Sequence, residues 1–170
     1  MRISRKVPVR IGWVATLLFG ASPVLAQGLS ELQSRFDREK NSIAKAKLLE
    51  KLGDAQFEEA RRAEREGNNN VVDLTLEKYR DNVRAALDAL KKQHPDAEKH
   101  SNGYRQMEMH VKHGIREVED SMLAAPEPYK PPLQIVRQEL IAIDEELIQM
   151  LFPHRPGSVK PPDPPPEKQP

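Results

Sequence analysis

The chain has 170 residues, no cysteine, and 27 basic side chains against 26 acidic ones. Without cysteine there is no disulfide scaffold, no thiolate metal site, no cysteine nucleophile and no lipid-bearing amino-terminal cysteine, so stability has to come from packing. The length suits one domain with a single core.

The first 26 residues have the layout of a cleaved secretory signal. Arg2, Arg5, Lys6 and Arg10 form a basic head, and Ile11 to Gly20 is apolar apart from Thr16. Ala21-Ser22-Pro23 interrupts the run, and Val24-Leu25-Ala26 sets small residues three and one positions before Gln27. The apolar stretch is too short to span a bilayer, so the expectation is export to a periplasm or to the outside of the cell. That segment holds four bases and no acids, leaving 23 bases against 26 acids and a net charge of −3. A mildly acidic, mixed-sign surface offers no electrostatic footprint for nucleic acid or for an anionic membrane. No later run of 18 apolar residues occurs, so no transmembrane segment is expected after cleavage.

The remaining chain reads as helices. From Leu29 to Glu66, the residues Leu29, Leu32, Phe36, Ile43, Ala46, Leu49, Leu52, Ala60 and Ala63 recur at helical spacing, which predicts one long amphipathic helix. Gly53-Asp54 is its weak point, because an interior glycine costs about 1 kcal/mol against alanine, so the helix is expected to run on as a rod or to break there. Gly67-Asn68-Asn69-Asn70 ends it, with Asn70 able to cap the next helix. That helix spans Val71 to Gln93, with Val72, Leu76, Tyr79, Val83, Leu87 and Leu90 inward, and His94-Pro95 stops it. A third helix carries Tyr104, Val111, Ile115, Val118 and Met122; Pro95-Asp96 or Asn102 could begin it, and it ends before Pro126-Glu127-Pro128.

The fourth helix, Pro132 to Phe152, has two apolar arcs. Leu133, Val136, Leu140, Ile143, Leu147, Met150 and Leu151 form one, and Ile141, Ile148 and Phe152 form the other, with Arg137 and Asp144 between them. Two arcs suit a central helix touching two neighbours or a dimer surface whose register the two charges set. Eight of the last 18 residues are proline, which predicts a disordered, polyproline-like tail. The expected organisation is therefore a leader (1–26), an all-α antiparallel bundle of about four helices with the first one long (27–152), and a proline-rich tail (153–170).

Chemistry is sparse. The glycines form no phosphate-cradling loop or dinucleotide fingerprint, and there is no Gly-x-Ser-x-Gly elbow or His-Glu-x-x-His pair. No enzyme activity and no cofactor are expected. Four of the five histidines (His94, His100, His110 and His113) fall close together, with Met107 and Met109 among them. Imidazole and thioether are ligands for copper, zinc or nickel. His110, His113 and Glu117 share one helical face at spacings of three and four, on the side away from the apolar stripe, and make the candidate metal set. Separately, Leu29-Ser30-Glu31-Leu32-Gln33 resembles the Leu-Thr-x-x-Gln pentapeptide of the small periplasmic helical chaperones and metal-stress proteins. That five-residue resemblance implies a periplasmic client-binding role. The leading expectation is an exported, non-catalytic helical module that binds a protein partner or itself, using Ile141, Ile148 and Phe152. The alternative is a periplasmic metal-binding or stress-response protein built on the His110/His113 region.

Overall fold

The computed structural model describes residues 23–153, with side chains from residue 28 onward. The expected leader lies outside this range except for its last residues, and the proline-rich tail lies outside it beyond Pro153. Among the described residues all regular structure is helical: α1 (Pro23–Arg38), α2 (Ser42–Arg65), α3 (Asn69–Gln93), α4 (Ser101–Ala124), a 3₁₀ turn (Glu127–Tyr129) and α5 (Lys130–Leu151). None of these helices is long and apolar enough to cross a membrane.

The first expected helix is two. The break falls at residues 39–41, and α2 runs unbroken through Gly53, which corrects the expected weak point. Asn41 is the reason. Its backbone is extended and its side-chain oxygen accepts from the amide of Ala44 at 2.9 Å, capping α2. Glu39 accepts from the Asn41 amide at 2.8 Å. Gln93, at the end of α3, completes the corner: its oxygen accepts from the Ser42 amide at 3.0 Å, and its amide group donates to the Lys40 carbonyl at 2.6 Å. Phe36 and Ile43 stand seven residues apart, close to two helical turns, so the apolar stripe keeps its phase across the corner and hides it.

The end of α2 follows the expected chemistry. Gly67 takes φ 71°, the left-handed value that glycine adopts without penalty. The Asn68 amide donates to the Ala63 carbonyl at 2.8 Å and the Gly67 amide to the Glu64 carbonyl at 2.9 Å, a Schellman closure. The following helix starts at Asn69, with Asn68 rather than Asn70 at the cap position and no side-chain capping bond. The third expected helix begins late, at Ser101, and the Tyr104 hydroxyl donates to the His94 carbonyl at 2.8 Å, pinning the loop before it.

The core is continuous from Phe36 to Leu151. In α3, every residue expected to face inward is buried, and in α4 Tyr104, Val111 and Val118 are buried while Ile115 and Met122 pack at its edge. On α5, Leu133, Val136, Leu140, Ile143, Leu147 and Leu151 are buried and Met150 is half-buried, so the first arc meets both α3 and α4. Ile141 and Ile148 of the second arc are half-buried and Phe152 is exposed. Arg137 donates to Glu119 of α4 at 2.7 Å, and Asp144 keeps one buried oxygen without a hydrogen-bond partner.

One polar layer crosses this core. Gln33 and Asn82 exchange amide hydrogen bonds at 3.0 Å in both directions, and Asn82 also donates to Gln56 at 3.3 Å. These bonds join α1, α2 and α3 at a single level. A shift of any of the three along its axis would leave buried amides unpaired, at about 1–3 kcal/mol each.

Candidate metal centre

Two glycines let neighbouring helices approach: Gly53 of α2 faces His110 of α4, and Gly114 of α4 faces Tyr79 of α3. A Cβ at Gly53 would overlap the Nε2 of His110, and one at Gly114 would overlap the ring of Tyr79. The glycine that looked like a weak point in a helix is thus a seat for an imidazole. The helical propensity it forfeits, about 1 kcal/mol, is offset by the packing it admits.

His110 is therefore not on the wet side. Its residue exposure is 7%, which corrects the solvent-facing placement read from the apolar stripe of α4. That stripe marks contact with α3 and α5, but α4 also packs against α2, and the histidine face meets that second neighbour. The ring sits in an aromatic cluster: Phe57 lies 5.9 Å and Tyr79 5.6 Å from it, and Phe57 meets Tyr79 edge-on at 4.6 Å. The Tyr79 hydroxyl donates to the His110 backbone carbonyl at 3.1 Å. Nε2 of His110 is buried and has no hydrogen-bond partner. A buried nitrogen in that state costs free energy unless something satisfies it.

Burial pushes the His110 pKa below its ordinary value; Asp54 and Glu50 pull it back up, and His113 adds to the depression. The ring is held neutral, the form that coordinates a metal.

His113, one turn further along α4, is half-buried with its ring edge-on to Phe57 at 5.3 Å. Its Nε2 lies 3.1 Å from Glu117, and its Nδ1 faces Asp54 at 4.0 Å. Glu117 also binds the guanidinium of Arg61 on α2. A carboxylate only accepts, so the contact with Glu117 is a hydrogen bond when Nε2 carries the proton, while Asp54 lies beyond hydrogen-bond reach of Nδ1. Metal-ligating histidines are oriented by such a carboxylate on the far nitrogen.

One ligand atom each from Asp54, His110 and His113 lie within 4.8 Å of one another. Around a tetrahedral ion at 2.0–2.1 Å, ligand atoms stand about 3.3 Å apart, so small side-chain rotations close the set. Of the residues read from the sequence, the structure brings His110 and His113 together and places Glu117 behind His113, bound to Arg61. Asp54 takes the third place. Helical spacing along α4 does not reach it because it sits on another helix, and only its place next to Gly53 marks that turn of α2 in the sequence. Glu50, Gln106 and Met109 complete the walls of a cleft of about 380 Å³ with these three residues, and Gln106 donates to Glu50 across it at 2.8 Å. His94 and His100 lie elsewhere, at the loop before α4, with ring centroids 4.4 Å apart and planes tilted by 39°.

Compared with protein-family models, with curated proteins and with solved structures, the chain matches none.

Proposed function

We propose that this is a non-catalytic helical protein that binds a divalent transition-metal ion in the α2–α4 cleft through Asp54, His110 and His113. The observation that carries the reading is the cluster of Asp54, His110 and His113, one ligand atom of each within 4.8 Å of the others, with the buried Nε2 of His110 lacking a hydrogen-bond partner. Two imidazoles and one carboxylate suit zinc or copper, and a hydrogen bond from Nε2 to Glu117 leaves Nδ1 of His113 free to bind. The leader-like amino terminus supports an exported location. The order of the cross-helix bonds supports an antiparallel bundle: Ser42 meets Gln93 and Gln56 meets Asn82 between α2 and α3, so position rises on one as it falls on the other.

Calorimetry with zinc tests the proposal on the parent and on an Asp54→Asn/His113→Ala variant. Asp54 is exposed and His113 half-buried at the edge of the core, and a melting curve of the variant checks that it folds. The variant should bind at least tenfold more weakly, about 1.4 kcal/mol. Equal binding by the two proteins would end the reading and would assign any uptake to sites such as the His94–His100 pair.

Self-association is the second reading. Phe152 is 49% exposed where α5 ends, beside the half-buried Ile148 and Ile141. Sedimentation over a concentration series should show a dimer that Phe152→Ser weakens, and a monomer throughout would remove it.

A further inference from the structure

Met109 is 70% exposed on the wall of the metal cleft. Large apolar side chains in this bundle are otherwise mostly in the core, and Met107, two residues earlier, is fully buried. Met109 and His113 are four residues apart on α4 and therefore neighbours on its surface, while His110 follows Met109 directly. On the facing helix, Glu50 and Asp54 stand at the same spacing. The cleft thus offers two kinds of ligand around shared imidazoles: carboxylate oxygens from α2 and a thioether sulfur from α4.

Thioether sulfur adds little for zinc but binds monovalent copper well, whereas carboxylates favour harder, divalent ions. We infer that Met109 is a metal ligand and that the cleft binds monovalent copper through Met109, His113 and His110. This inference rests on the metal reading above. It adds the soft side of the site, and it accounts for an exposed methionine on a cleft wall that packing does not require.

The experiment uses the protein under reducing, anaerobic conditions, with monovalent copper buffered by a chromophoric chelator. Competition titrations compare the parent with Met109→Leu, which keeps size, apolarity and helix propensity while removing sulfur. Zinc calorimetry is run on the same two proteins. We expect Met109→Leu to lower the affinity for monovalent copper about tenfold, roughly 1.4 kcal/mol, and to change zinc affinity less than twofold. X-ray absorption of the copper-loaded parent should show a sulfur neighbour that is missing in the variant. Unchanged copper affinity in Met109→Leu, with zinc binding intact in both proteins, would overturn the thioether assignment alone. A parent that takes up neither ion in the cleft would overturn the metal reading and this inference together.

Discussion

The imidazole of His110 occupies the space that a side chain at Gly53 would fill. Gly53→Ala is a direct test of that relationship. On helix propensity alone the change should stabilise α2 by about 1 kcal/mol. Here the new methyl would meet His110 Nε2, with Cε1 at 2.9 Å and Tyr79 Cε2 at 3.0 Å. All three atoms belong to rings in the packed core, so overpacking should win by about 1–3 kcal/mol. Urea denaturation measures the loss. In a His110→Ala background the same substitution should cost much less, because the main obstacle is gone. Additive effects in that double-mutant cycle would show that the two residues do not compete for space.

His110 should also set a pH dependence. Its folded pKa lies below the ordinary 6.5, chiefly through burial. The unfolded chain therefore binds a proton at His110 more readily than the folded one between the lowered value and 6.5. In that window stability falls as pH falls, by up to about 1.4 kcal/mol per pH unit for one proton. With a chelator present, melting curves from pH 7.5 down to 5 should show this decline. His110→Leu should flatten it, and an unchanged slope would assign the proton to another group.

The helices were legible because their apolar residues repeat at helical spacing and their ends carry Gly67, His94-Pro95 and Pro126-Glu127-Pro128. The α1–α2 corner was not, for two reasons visible in the structure. The spacing from Phe36 to Ile43 preserves the phase of the stripe, and the bonds that hold the corner come from Gln93, some fifty positions away. Asn41-Ser42 was the local sign, an asparagine able to cap. The metal cluster was half legible. Spacing on one helix joins His110 to His113, but pairing across helices adds Asp54 and turns Glu117 toward Arg61. An apolar stripe also identifies only those neighbours that make apolar contact. α4 meets α2 around Gly53 and through His110 and His113, which a hydropathy pattern records as a polar face.

Glu117 should matter to metal affinity without being a ligand. It holds Nε2 of His113 at 3.1 Å and is itself held by Arg61. Glu117→Gln keeps the shape but lets the amide present either an oxygen or an NH₂ group, so the preference for one tautomer is lost. Outer carboxylates of this kind typically contribute 10- to 100-fold in affinity, and a loss of about tenfold for zinc is expected here by calorimetry. Chemical shifts of the His113 ring nitrogens provide the control: they should report a mixed tautomer in the metal-free variant. An undiminished affinity together with a single tautomer would mean that Glu117 does not select the tautomer that binds.

Asp144 tests the other face of α4. It lies on α5 with one buried oxygen lacking a hydrogen-bond partner, and burial raises its pKa; Lys112 opposes the rise, while Glu108 and Glu145 add to it. A carboxyl group whose folded pKa is raised penalises the folded state at pH values above that pKa, where it must carry charge. The penalty fades as pH falls through the raised value toward the unfolded 3.8. Asp144→Asn should therefore stabilise the protein at pH 7 by about 0.5 kcal/mol, a small figure because solvent and Lys112 already screen the charge. Near pH 4 the gain should shrink toward zero. Paired urea titrations at the two pH values measure it. A destabilised variant at pH 7 would show instead that attraction between Asp144 and Lys112 outweighs the cost of burying the carboxylate, and that α4 and α5 are held partly by charge.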